Sequence, residues 1–199
     1  MVDTASAHGR ALTVGAIARR GTGWWGLLTV IATEAALFVY LLFSYFYYDV
    51  QFGRGWLPDP PSFRYSLPNT IILVASNIAA WVAARGIQRG GRGRLVVGIL
   101  VALLLGVAFC VLQVLEWRSL TYTLNANTYS SVYFTTGGFH LAHVVVGVLI
   151  LLLLLLWSVL GYFDRLRHTP VLIGTAYWHF VLAVWLAVFF SFYVTPYLW

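Results

Sequence analysis

Five side chains in this sequence combine reactive types with apolar surroundings. Glu34 stands about halfway along an apolar run from Trp24 to Tyr48, and Glu116 lies near the end of another from Leu95 to Trp117. His140, His143 and His179 lie in or at the edge of two further runs. His140, His143 and Gly147 are spaced i, i+3 and i+7, so they share one helix face. Neutral imidazole is the commonest metal ligand, and such a face could belong to a metal or haem site. Further ligands would be needed, yet neither histidine-bearing run contains a carboxylate or a cysteine. A haem held by two histidines would want them at matched depth, whereas antiparallel helices put His143 and His179 toward opposite ends. Interhelix hydrogen bonding is the simpler reading of the histidines, and metal ligation the sharper alternative. Glu34 is the first functional candidate. An ionisable group at a helix centre in lipid costs about 3 kcal/mol on insertion scales, so it usually faces protein, a cavity or a substrate. Gln113 lies one turn before Glu116, and the two read as a wet, hydrogen-bonded edge.

The elements that carry these residues follow from composition. Hydrophobic residues make up 61% of the chain and charged residues 9%, with a mean hydropathy of +0.83. A soluble domain carries about 25% charged residues, so this is an integral membrane protein. Crossing a bilayer core takes about 20 helical residues with their backbone groups bonded internally. Five runs meet that need: Trp24 to Tyr48, Pro68 to Gln88, Leu95 to Trp117, Val132 to Gly161, and Val171 to Thr195. The expected fold is an all-α polytopic bundle, with residues 1–23 as an amino-terminal arm and 24–199 as the five-helix transmembrane domain.

All basic residues are Arg; nine fall on one side of such a bundle and three on the other. The positive-inside rule then puts the amino terminus in the cytoplasm and the carboxyl terminus in the periplasm. The charge of +6 reports this topology, and no nucleic-acid partner is expected. The proline-dense stretch from Asp49 to Leu67 reads as an extended connector, with Ser66 and Pro68 opening the next helix. Aromatic residues near the segment ends, among them Trp25, Tyr45, Tyr47, Tyr129, Tyr133, Trp178, Tyr193, Tyr197 and Trp199, read as interfacial anchors. Gly98, Ala102, Gly106 and Cys110 place a small residue at every fourth position, a stripe that lets another helix approach closely. Cys110 is the only cysteine and reads as a packing residue.

Several ordered motifs resemble one family. Gly138-Phe139-His140-Leu141-Ala142-His143-Val144 with Gly147, then Tyr177-Trp178-His179-Phe180-Val181 and Trp185-Leu186, closely resemble the last two helices of subunit III of the haem-copper cytochrome c oxidases. Thr33-Glu34-Ala35, Leu67-Pro68-Asn69-Thr70 with Ala75-Ser76, and Leu105-Gly106, Phe109, Gln113 and Glu116-Trp117 extend the likeness over most of the chain. The resemblance is to the five-helix bacterial form, which lacks the first two of seven helices. Many members carry acids where this chain has Leu172 and Leu182.

The resemblance implies a non-catalytic accessory subunit of a respiratory terminal oxidase that reduces oxygen to water, in the bacterial cytoplasmic membrane. It implies no catalytic, cofactor-binding or metal residue in this chain, with haem and copper in partner subunits. It implies contact with the catalytic subunit I and other oxidase subunits, phospholipid held in a cleft, and support of proton uptake. Glu34 falls on the family's membrane-embedded glutamate, which lines that cleft. Headgroup contacts would fall on Arg165 or Arg167. His140, His143, His179, Gln113 and Glu116 are then polar groups at helix interfaces, and Gly98, Ala102, Gly106 and Gly147 packing positions. Other readings are a quinol-oxidase or nitric-oxide-reductase-associated homologue, a small proton-coupled transporter with Glu34 on its path, or a membrane cytochrome using His143 and His179.

Overall fold

A computed structural model of the chain describes residues 22–56 and 63–198. Nearly all of the amino-terminal arm, Pro58, Pro60 and Pro61 of the connector, and Trp199 lie outside the described residues. Within them the chain forms α1 (Thr22–Phe52), α2 (Phe63–Gln88), α3 (Arg92–Ser119), α4 (Thr128–Leu160) and α5 (Thr169–Phe189). A π-helical turn, Phe190–Val194, and a last turn, α6 (Thr195–Leu198), continue α5 as one rod. All five rods are long and apolar enough to cross a membrane, and no strand occurs among the described residues. The chain is an all-α, multi-pass membrane protein, in agreement with the five apolar runs.

Two boundaries differ from expectation. Helix α1 runs on to Phe52 and ends in a 3-10 turn, Gly53–Trp56, where a connector was expected from Asp49. The reason is local: the Trp56 indole N–H donates to Asp49 Oδ1 at 3.2 Å, and the ring packs against Tyr45, Tyr48 and Tyr129. Helix α2 begins at Phe63, so Pro68 lies inside it rather than in its first turn. Proline there leaves the Arg64 carbonyl without its usual i+4 donor.

Helices α2, α3, α4 and α5 pack in a ring, α2 on α3, α3 on α4, α4 on α5 and α5 back on α2. Helix α1 packs against α4 and α5 from outside, more sparsely. Its fully buried residues are Leu27, Phe38 and Tyr45, a single stripe along one face. The helix ends are tied in specific ways. Asn127 and Ser130 exchange side-chain and backbone hydrogen bonds of 2.8 and 3.0 Å at the start of α4. At its other end the Arg92 guanidinium donates to the carbonyls of Ser158 and Val159 at 3.1 and 2.8 Å. Gly161 closes α4 at φ 88°, and a Cβ there would also meet the Arg92 guanidinium at 2.8 Å.

The stripe on α3 does what its spacing suggests. A Cβ on Gly98 would stand 2.7 Å from the Ala83 Cβ and 3.0 Å from the Ala79 carbonyl of α2. Gly98→Leu should therefore force α2 and α3 apart and destabilise the chain by about 1–3 kcal/mol, the usual cost of overpacking. Thermal unfolding in detergent reads this directly. An unchanged midpoint would show that the hairpin is looser than described.

Candidate functional site

Helices α1, α4 and α5 enclose an open cleft of ≈ 720 Å³. Its wall is apolar, formed by Leu27 and Val30 of α1, Val146, Ile150 and Leu153 of α4, and Ile173 of α5. A carboxyl and an imidazole interrupt it. Glu34 Oε2 and His143 Nε2 meet at 2.9 Å, joining α1 to α4 across 109 residues of sequence. His143 Nδ1 donates to the Phe139 carbonyl at 2.6 Å, so it carries a proton. The remaining proton lies between Nε2 and the carboxylate, in either an imidazolium–carboxylate or an imidazole–carboxylic acid pair. The Glu34 side chain is 33% exposed, against 14% for His143, so both line the cleft and the carboxyl is the more open of the two. The depth of Glu34 was legible in the sequence; its partner was not.

His140, one turn before His143, points into the ring of four helices. It is buried, its Nε2–H donates to the Val181 carbonyl at 3.2 Å, and the rings of Phe38, Phe109 and Trp185 surround it. His179 Nδ1–H donates to Asn77 Oδ1 at 2.9 Å, joining α5 to α2. The three histidines thus take three separate partners on three different helices. Among the described residues no group of three or more His, Cys, Asp or Glu converges as a metal site.

Trp178 is the centre of the packing residues. A Cβ on Gly147 would lie 2.5 Å from its ring, and one on Gly106 3.0 Å. The indole is thus clamped between α3 and α4. Its Nε1–H donates to Ser76 Oγ at 3.0 Å, and Ser76 in turn donates to the Ala102 carbonyl at 2.7 Å. Four small residues on two helices, Gly98, Ala102, Gly106 and Gly147, serve either this clamp or the α2–α3 contact.

Glu116 and Gln113 do not form a wet edge. They are 3% and 2% exposed and sit within a network reaching all four ring helices. Tyr193 donates to Glu116 Oε1 at 2.7 Å, and Gln113 Nε2 donates to Oε2 at 3.0 Å. Asn69 donates to Gln113 Oε1 at 3.3 Å, and the Tyr133 and Tyr193 hydroxyls meet at 2.7 Å. Since Tyr193 gives its proton to the carboxylate, Tyr133 is the donor to Tyr193. In the neighbouring loop, burial pushes the Tyr122 phenol up to about 12.

This network corrects the reading of the aromatics. Tyr45, Tyr129, Tyr133, Trp178 and Tyr193 are interior residues, whereas Trp25, Tyr47 and Tyr197 are exposed as interfacial anchors would be. The missed residues Tyr193 and Tyr133 resemble anchors because they lie near segment ends. Ser76 and Asn77 left a fainter signal, as adjacent polar side chains within an apolar run. In the loop after α4, Arg167 pairs with Asp164 at 2.9 Å. The backbone N–H groups of Arg167 and Leu166 hold the exposed Asp164 carboxyl below the usual carboxylate range.

Five apolar rods, four of them packed in a ring and the fifth bounding an open cleft, define a multi-pass membrane protein. The profile of the cytochrome c oxidase subunit III family matches residues 7–199. The chain belongs to that family. It is 30% identical over 185 residues to cytochrome c oxidase subunit 3 of Drosophila melanogaster, covering 88% of this chain and 68% of the relative. It is 32% identical over 174 residues to that of Artemia franciscana, covering 85% and 67%. The subunit 3 of Scyliorhinus canicula is 30% identical over 179 residues, covering 85% and 68%. Membership of a cytochrome c oxidase complex follows.

Proposed function

We propose that this chain is an accessory subunit that acts by holding phospholipid against the catalytic subunit I and that carries no redox centre of its own. Haem and copper then belong to the partner subunits. The observation that carries this reading is the cleft between α1, α4 and α5, whose apolar wall is broken by the Glu34–His143 pair. Apolar side chains suit acyl chains, and a carboxyl–imidazole pair at mid-span ties α1 to α4 without closing the cleft. His140 and His179 are taken up by a carbonyl and an amide acceptor, which suits a structural role. In this reading Glu34 supports lipid retention and proton uptake, and His140, His143, His179, Gln113 and Glu116 set helix register. The arginine distribution supports an amino terminus in the cytoplasm and a carboxyl terminus on the opposite side, and the resemblance to the five-helix form supports a bacterial cytoplasmic membrane.

The test uses the whole oxidase carrying Glu34→Ala. The complex should assemble with its haem absorbance unchanged, while phosphorus analysis finds less tightly bound phospholipid and turnover declines faster with time. Loss of haem from the complex, or lipid content and turnover equal to wild type, would contradict the proposal.

A further inference from the structure

A second groove lies on another face of the bundle, between α2 and α3. At its mouth a cavity of ≈ 210 Å³ is lined by Trp81, Val82, Gly86 and three arginines, Arg85, Arg89 and Arg94. A longer apolar cavity of ≈ 420 Å³ shares Val82 and Arg94 with it and runs on between Ala79, Val97, Gly98 and Val101. From Arg94 to Val101 the groove follows α3 for about 10 Å at 1.5 Å per residue. It is open at its Gly93 end, where a Cβ would meet nothing within 4 Å, and narrows at Gly98 against Ala79 and Ala83. No described acidic residue pairs with the charges at its mouth: the ion pairs among the described residues are Glu34 with His143 and Asp164 with Arg167. Arg85 lies over the Trp81 ring at 4.6 Å, which holds its guanidinium at the mouth. Arg92 differs, being committed to the carbonyls that end α4.

We propose that this groove holds an acyl chain of an anionic phospholipid whose phosphate sits against Arg85, Arg89 and Arg94. The arrangement has positive charge at the helix ends, where headgroups lie, and hydrocarbon-compatible walls below it. An acyl chain fits an apolar channel that continues from a charged mouth, whereas a free phosphate would have no use for the channel. Guanidinium groups bind phosphate oxygens through paired N–H donors. Three arginines disfavour a headgroup that also carries a quaternary ammonium, so the site selects an anionic lipid over a zwitterionic one. This site is separate from the cleft at Glu34 and stands independently of it.

The full-length chain in detergent, titrated with equal amounts of dioleoyl phosphatidylglycerol and dioleoyl phosphatidylcholine, tests the proposal by native mass spectrometry. The wild type should retain phosphatidylglycerol preferentially. Replacing all three arginines, as Arg85→Gln, Arg89→Gln and Arg94→Gln, should weaken its binding by about fivefold per arginine. Val97→Trp, which fills the channel from an exposed position and leaves the arginines in place, should also remove it. Glu34→Ala should leave this lipid in place, which separates the groove from the cleft. A triple variant that holds as many phosphatidylglycerol molecules as wild type, with the same preference over phosphatidylcholine, would overturn the proposal. So would its displacement by inorganic phosphate with Val97→Trp binding as wild type, the mark of a simple anion site. In the assembled oxidase, release of another subunit by the triple variant would assign the groove to a protein and likewise overturn it.

Discussion

Trp178→Ala should be the most damaging single substitution in the bundle, lowering stability by about 3–5 kcal/mol as expected for an aromatic ring removed from a packed interior. The ring is fully buried and is clamped by Gly106 and Gly147, so the helices around the vacated space cannot close without shifting against each other. The substitution also deprives Ser76 of a donor. Trp178→Phe keeps one six-membered ring while losing the indole N–H and the rest of the bicycle, and should fall well short of the alanine effect. Unfolding of the purified chain in mixed detergent micelles measures both. Equal midpoints for Trp178→Ala and wild type would refute the clamp.

Glu116→Ala should be the next largest, at about 2 kcal/mol. Removing the carboxylate strands two buried donors, Tyr193 O–H and Gln113 N–H, and each stranded group costs about 1–3 kcal/mol in a dry interior. Interhelix hydrogen bonds in membranes average only about 0.6 kcal/mol, because the separated helices find other partners, so the lower end of the range applies. Glu116→Gln retains one acceptor oxygen and should lie between alanine and wild type. The same unfolding measurement decides it. If Glu116→Ala unfolds as wild type does, the network contributes nothing to holding the four helices together.

The helices were legible because length and apolarity are properties of each segment alone. A run of about 20 apolar residues must be helical in lipid whatever it touches. What depends on the rotation of one helix against another was not legible. The small-residue stripe on α3 announced a close approach, yet nothing in its spacing named Trp178 as the group it receives. Trp178 stood in a Tyr-Trp-His triplet near the end of an apolar run and looked like a headgroup anchor. Glu34 was conspicuous as an acid at mid-span, while its pairing with His143 depends on how α1 lies against α4. The π-helical turn at Phe190–Val194 had no signature, although it lets three successive residues, Ser191, Phe192 and Tyr193, be buried together. That turn brings Tyr193 to Glu116 and so completes a network that helical periodicity would not foretell.

The most direct measurement is to purify the oxidase through a tag on this chain, separate the chain from its partners in detergent, and record the visible spectrum and metal content of each fraction. The account predicts a complex that absorbs as a haem protein, with all haem and copper remaining in the partner fraction and none in this chain. Haem or copper travelling with the separated chain, or recovery of the tagged chain from native membranes without any haem-bearing partner, would contradict it.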